Sequence, residues 1–257
     1  VCGVAEVNTL HIKALLRKWY KKQKLSIPRG FLLNTRKGSA YREMIARFQA
    51  SNGLSTSGTM NRATYFKLVQ KTGPRYKILK QYHAIHFGKW RRVGSIRYTV
   101  LHDMEFAGDT AAEALGCMSE SASYPASPHF GIDDDSIQQY LSLSRVGWHC
   151  TSFNTQTVGI EQAGYASYTA RQWKSHIEML KRTAFVLAMI SKKTGEPLVY
   201  RDAAYLRKFP YPKKGAGGVT THLAHTLAAV PGDHTDPGTH YPMNYVLTLA
   251  KKYRMEM

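Results

Sequence analysis

Three segments far apart in the chain end in residues that bind metal ions or move protons. They are Tyr98-Thr99-Val100-Leu101-His102-Asp103, Thr157-Val158-Gly159-Ile160-Glu161, and the stretch from Thr221-His222 to His234-Thr235-Asp236-Pro237-Gly238. In the first two, a short apolar run of the kind a buried strand shows closes on a polar residue. Strand ends and the loops beside them are where sites collect on α/β scaffolds. Two imidazoles and one carboxylate fill three positions of a tetrahedral zinc ion and leave the fourth to water. Zinc brings the pKa of that water to about 7, and a carboxylate outside the ligand set can take its proton and pass it to a leaving amine. Alternatives stand beside this reading. His225 follows His222 by three residues and competes with it as a ligand, and His234 competes with Asp236, which can equally serve as a turn former before Pro237. Trp148, His149 and Asn154 are candidate substrate-binding residues, and His129 is a candidate packed or supporting histidine. Cys150 follows His149, which raises a thiol nucleophile, although neighbours on a strand point to opposite faces.

The elements that must hold these residues follow from periodicity. Ser95 onward reads as α/β: strands over Arg97–Leu101, His129–Ile132, Ile137–Leu141, Thr157–Gln162 and Leu198–Tyr200. Asp109 or Thr110 caps a helix to Met118, Thr169 caps a long helix to Lys193 that Gly195 and Pro197 stop, and Tyr245–Tyr253 closes the chain as an amphipathic helix. Strands interleaved with helices imply a mixed central sheet flanked by helices. Residues 1–72 differ. Leu10, Ile12, Leu15, Leu16 and Trp19 recur at helical spacing over 8–24; Tyr41, Met44, Ile45 and Phe48 do so over 39–52; and Tyr65, Leu68 and Val69 over 61–72. Pro28, Gly30 and Gly38 mark the loop between the first two helices. The expected fold is thus α/β, preceded by a small all-α three-helix domain, with 73–94 as a basic linker containing Gly73, Pro74, Gly88 and Gly94.

The net charge of +19 sits at the front. Residues 1–72 hold 14 Lys and Arg against Glu6 and Glu43, and 73–95 hold six and no acid, while 96–257 are nearly balanced. Such a field attracts a polyanion: nucleic acid, anionic lipid or an anionic wall polymer. No apolar run approaches the ~18 residues that span a bilayer; the most apolar stretch, Ala184–Ile190, reads as helix core. Three cysteines, Cys2, Cys117 and Cys150, make neither a disulfide framework nor a Cys-x-x-Cys zinc pattern. Asp133-Asp134-Asp135 lacks the Gly and distal Glu of a calcium loop and reads as a solvated hairpin turn.

Two resemblances sharpen this. Phe48-Gln49-x3-Gly53-Leu54-x2-Ser57-Gly58-x2-Asn61-x2-Thr64-x3-Leu68 resembles the second half of the three-helix peptidoglycan-binding domain, with Ser57 and Asn61 where that family has Asp and Gly. Residues 91–257 resemble the type-2 N-acetylmuramoyl-L-alanine amidases, a family with many phage endolysins and related to animal peptidoglycan recognition proteins. The resemblance rests on His222, Asp236-Pro237-Gly238, Tyr241-Pro242 and a last helix, on Trp148-His149, and on Ser127-Pro128-His129-Phe130. Asp236 follows His222 by 14 residues, as in several members from phages of actinobacteria. The resemblance implies zinc ligands His102, His222 and Asp236 and acid/base residue Glu161. It also implies that His234 steadies the oxyanion where many members have Lys.

What the resemblance implies about function is hydrolysis of the amide between N-acetylmuramic acid and L-Ala of the stem peptide, with Zn2+ as cofactor and polymeric peptidoglycan as partner. The basic front domain is expected to hold the enzyme on the wall, with anionic wall polymers as further partners, no specific nucleic acid and no membrane span. Val1-Cys2-Gly3-Val4 does not read as a secretory signal. The expected setting is a phage lysin, in the host cytoplasm and then at the wall, or else extracellular. The rival is a non-catalytic peptidoglycan-binding protein on the same fold.

Overall fold

The structure is a computed structural model and describes residues 9–28, 31, 38–72, 76–228 and 233–257. Cys2, Gly30, Gly73 and Pro74 lie outside the described residues. The chain separates into two compact units, Val1–Arg75 with Glu256–Met257, and Tyr76–Met255. No helix among the described residues is long and apolar enough to cross a membrane.

Three helices make the first unit: α1 (Thr9–Lys22), α2 (Ser39–Ala50) and α3 (Arg62–Thr72). The apolar positions at helical spacing face one another, with Ile12, Leu15, Leu16 and Trp19 meeting Tyr41, Met44, Ile45, Phe48, Tyr65 and Leu68. The side chains of Leu10 and Val69 lie outside the described ones. Two residues build the turn between α2 and α3. Gly58 has a φ of 66°, and a Cβ there would come within 3.2 Å of the Arg42 carbonyl oxygen, so the position needs glycine. Gln49 is fully buried; its Oε1 accepts from Gly58 N–H at 2.9 Å, and its Nε2 donates to Ser57 Oγ, Thr59 O and Thr64 Oγ1 at 3.2, 3.0 and 2.9 Å.

The second unit holds β1 (Phe87–Trp90), β2 (Tyr98–Asp103), α4 (Ala111–Ser119), β3 (Phe130–Ile132), β4 (Ile137–Gln139), β5 (Arg145–Gly147) and β6 (Thr157–Gln162). It continues with α5 (Ala170–Ser175), α6 (Ile177–Thr194), α7 (Ala203–Lys208), β7 (Gly218–Thr221), α8 (His222–Leu227) and α9 (Met243–Glu256). The main sheet has the order β4-β3-β6-β2-β7, parallel except for the antiparallel edge strand β4, and β1 pairs with β5 apart from it. Leu101, Phe130, Ile132, Val158 and Ile160 of the sheet share one core with Met179, Leu180, Ala184 and Leu187 of α6. This is the expected α/β class with a mixed sheet and flanking helices.

Three details differ from the sequence expectations. Residues 76–94 are built into the second unit rather than left as a linker: Leu79 bridges Gln138, and β1 pairs with β5. The long helix is two. The capping box of Thr169 and Gln172 starts α5, but the Asp134 carboxylate accepts from Met179 N–H at 2.9 Å and meets the His176 ring at 2.6 Å, so a new helix starts there. Leu198–Tyr200 contributes only a bridge, Tyr200 to Val219.

Candidate active site

Parallel register brings the three segments level. His102 on β2 is the partner of Glu161 on β6, and Leu101 is the partner of Thr221 on β7, so His222 arrives beside His102. All lie at the C-terminal ends of parallel strands, the edge where open α/β sheets bind ligands. β7 ends because Thr221 caps α8, its side chain accepting from Ala224 N–H at 3.1 Å, and His222 opens the helix. Asp236 returns on the loop after α8. Its carbonyl accepts from Leu223 N–H at 2.9 Å, and Gly238 N–H closes a turn onto Thr235 O at 2.8 Å. Gly238 has a φ of 79°, and a Cβ there would collide with the Ala166 carbonyl, so the turn after Asp236 needs glycine.

The side chains converge. Asp236 Oδ2 is 2.9 Å from His102 Nδ1, and its Oδ1 is 3.2 Å from His222 Nδ1 and 3.5 Å from His234 Nδ1. Glu161 Oε1 is 3.9 Å from His102 Nδ1. The His222 and His234 rings stack at 3.9 Å. These groups line a cavity of about 390 Å³, together with His149, Asp103, Glu105, Tyr124 and Asp233. That volume is within the range of small-ligand sites. Burial pushes the Glu161 carboxyl well above the usual carboxylate range, and the charges of Asp236 and Asp103 add to it. Burial likewise raises Asp103 to about 8, against a hydrogen bond from Glu105 N–H. Asp236 is buried too, which alone would raise it, but hydrogen bonds from the His102 and His222 rings bring it below the usual range. Burial lowers His102, opposed by Asp236.

The donor set suits a divalent ion. One ligand atom from each of His102, His222 and Asp236 lies within 4.8 Å of the others, and all three residues are buried. Two atoms bonded to one tetrahedral zinc stand about 3.3 Å apart, and the imidazole-to-carboxylate distances of 2.9 and 3.2 Å are close to that. The unpartnered buried Oε2 of Glu161 marks a carboxylate that the fold itself does not satisfy.

The remaining sequence candidates separate. His149 lines the cavity. Trp148 is 40% exposed and stacks on His86 outside the lining. Asn154 is not in the lining: its Oδ1 accepts from His149 N–H at 3.0 Å and Cys150 N–H at 2.7 Å, so it shapes the turn that carries His149. His225 is wholly buried between the Tyr98 and Phe153 rings and is not in the donor cluster. His129 lies beside Arg91 at 2.8 Å and accepts from Gly159 N–H at 3.2 Å; burial and the Arg91 charge lower it to about 3, so it is a neutral packed ring. Burial raises the Cys150 thiol to about 12, which removes it as a nucleophile. The Asp133–Asp135 run is engaged internally, Asp133 accepting from Ala112, Asp135 and Ser136 N–H groups. Sequence reasoning missed Asp103, Glu105, Tyr124 and Asp233 as lining residues. Asp103 and Asp233 carried a signal, since they border His102 and His234.

Comparison with known proteins places the geometry in context. A family model described as N-acetylmuramoyl-L-alanine amidase matches residues 92–239. No curated protein matches the chain. Among solved structures, the Staphylococcus aureus hydrolase AmiA in complex with its ligand is 18% identical, with 77% of this chain and 94% of that one covered and a TM-score of 0.54, a shared fold. A mutant endolysin from Bacillus subtilis aligns at 16% identity, 70% and 98% coverage and TM-score 0.42. The N-acetylmuramoyl-L-alanine amidase LysC from Clostridium intestinale aligns at 12%, 68% and 97%, and 0.45.

Proposed function

The chain belongs to the N-acetylmuramoyl-L-alanine amidase family, and from that premise we propose that it is a zinc-dependent peptidoglycan hydrolase. It would cut the amide between the lactyl group of N-acetylmuramic acid and L-Ala of the stem peptide. The observation that carries the reading is the meeting of His102, His222 and Asp236 at one edge of the sheet, with Glu161 beside them. Those three residues would hold the ion; when bound, zinc supplies Lewis-acid polarisation of a carbonyl and a lowered pKa for water. Glu161 takes a proton from the attacking water and delivers it to the nitrogen of the departing L-Ala. His234, with a side chain 53% exposed at the cavity mouth, donates an N–H to the oxygen that gains charge as the carbonyl becomes tetrahedral. The exposed indole of Trp148 offers the polymer a stacking face next to the cavity residue His149.

The front unit would tether the enzyme to its insoluble substrate and raise the local concentration there. Its excess of Lys and Arg favours a wall rich in anionic polymers and makes the attachment salt-sensitive. The fitting biological role is that of a phage endolysin. The test is mass spectrometry of purified sacculi digested by wild type and by Glu161→Ala, with metal analysis of both proteins. Intact stem peptides freed by wild type alone, with zinc in both, are the expected result. Cut sugars or cut cross-links would overturn the amidase assignment, and a chain that takes up no zinc would overturn the metal.

A further inference from the structure

The ring of His149 joins the candidate ligand His102 to a row of hydrogen-bonding groups behind the cavity. Its Nδ1 is 3.1 Å from His102 Nε2, and its Nε2 is 3.2 Å from Thr157 Oγ1. Thr157 Oγ1 in turn lies 3.0 Å from the carbonyl oxygen of Phe153. The row ends at the cavity, where His102 Nδ1 faces Asp236 Oδ2 at 2.9 Å. The fold makes room for it. A Cβ on Gly159 of β6 would stand 2.6 Å from the His149 ring, so glycine there is the bed on which the imidazole lies.

We propose that His149 and Thr157 are positioning residues that set the tautomer of His102 and so turn its Nδ1 lone pair toward the metal ion. The inference rests on the zinc reading above. A neutral imidazole has one donor and one acceptor nitrogen, a hydroxyl has one hydrogen, and a carbonyl only accepts. When the Thr157 hydroxyl donates to Phe153 O, its oxygen accepts from His149 Nε2–H. His149 Nδ1 then accepts from His102 Nε2–H, and His102 Nδ1 is left with a lone pair. A lone pair facing a carboxylate is stable only with a cation between them, and that is where the donor cluster lies. The row can also run the other way. His102 Nδ1–H then donates to Asp236, His102 Nε2 accepts from His149 Nδ1–H, and His149 Nε2 accepts from the Thr157 hydroxyl, which abandons Phe153 O. Both directions carry one proton on each ring and one on the hydroxyl. Metal entry therefore exchanges one direction for the other with no net proton loss from these three residues. Ligand histidines usually donate their second N–H to a carboxylate, a carbonyl or water. An imidazole in that place fixes the tautomer without adding negative charge behind the site.

Two measurements on the full chain test this. In a long-range 1H–15N spectrum of 15N-histidine-labelled, zinc-loaded protein, His149 is expected as the Nε2–H tautomer. A proton on Nδ1 in that state overturns the proposal. Zinc affinity by competition with a chromophoric chelator is the second. His149→Leu should weaken it about 10- to 100-fold, the range typical for partners of ligand histidines. His149→Asn, whose Oδ1 can replace Nδ1 as acceptor, should recover most of that loss, and the near-isosteric Thr157→Val should weaken affinity by a smaller factor. Wild-type affinity in His149→Leu, or no recovery in His149→Asn, sinks the positioning role while leaving the metal site intact. Failure of wild type to bind zinc sinks both. If His149→Leu does not fold, the wild-type spectrum decides alone.

Discussion

The parallel strands of the second unit have a glutamate near each end, one buried and one half-buried, and the chain treats the two in opposite ways. Glu196 sits where β2 and β7 begin. Its carboxylate accepts from Gly215 N–H at 3.0 and 3.1 Å, from Gly217 N–H at 2.9 Å and from Arg97 Nη1 at 3.4 Å. Glu161 sits where β6 ends. Its Oε2 has no partner, its Oε1 is 3.9 Å from the nearest histidine nitrogen, and the Asp236 charge crowds it. A carboxylate saturated by its own backbone pins loops to the start of the strands. A carboxylate left open and crowded costs stability, and such costs persist where the group serves something other than the fold.

The largest effect that could break this contrast comes from Glu161→Gln. Amidase turnover should fall by about 10²- to 10⁴-fold, the usual worth of a general acid/base, because the amide cannot shuttle a proton. The thermal midpoint should hold or rise, since like-charge crowding is relieved. A strong loss of stability would place Glu161 with Glu196 as a structural residue. Next in size is Glu196→Ala, which removes the counter-charge of the Arg97 guanidinium and the acceptor of two backbone N–H groups. Breaking a buried pair in this way costs about 3 kcal/mol, at the lower end because Arg97 is partly exposed. Urea unfolding should show that loss with kcat unchanged on the folded protein; a matching fall in kcat would erase the distinction between the two ends.

A third effect is a pH dependence from His129, another saturated buried group. Its folded pKa is about 3, below the usual 6.5. Between those values the unfolded chain binds the proton and the folded chain does not, so stability rises with pH across the window and is lost as the pH falls from 6.5 toward 3. From pH 7 to 5, wild type should lose about 2 kcal/mol more than His129→Gln, at about 1.4 kcal/mol per pH unit. Equal slopes for the two proteins would mean that His129 is not held neutral.

The same contrast explains what could be read from the residues alone. β6 was legible to the residue because Thr157–Gln162 is a bounded apolar run, and β2 within a residue or two for the same reason. Helices α1, α2 and α3 declared themselves through periodic apolar positions. β7 did not: Gly218–Thr221 has four residues, two of them Thr, and its strand character comes from pairing with β2 across more than a hundred residues. The break at His176 was invisible because the side chain that restarts the helix is Asp134, on a distant turn. At the site, residue type made His102, His222 and Asp236 candidates beside His225 and His234, and only the family resemblance chose among them. The part of His149 could not be read, because Trp148-His149 looks like groove lining until Thr157 and His102 are seen on either side of the ring.

The smallest expected effect refines the structural end. Arg97 does more than neutralise Glu196: Nε donates to Pro212 O at 3.1 Å, and Nη1 to Gly94 O at 2.8 Å and Ile96 O at 2.9 Å. Three of its acceptors are backbone carbonyls, two in the segment that leads into β2 and one, that of Pro212, far along the chain, so the planar fork matters as much as the charge. Arg97→Lys keeps the charge beside Glu196 but cannot reach all of those carbonyls. It should therefore cost about 1 kcal/mol, the net worth of an intramolecular hydrogen bond, well short of Glu196→Ala. Urea midpoints measured side by side check this. A loss as large as that of Glu196→Ala would mean that guanidinium geometry, rather than the carboxylate, holds these loops. No loss at all would mean that charge alone suffices there. Either way kcat on the folded protein should stay at the wild-type value, because nothing Arg97 touches lies at the ends of the strands where His102, Glu161 and His222 meet.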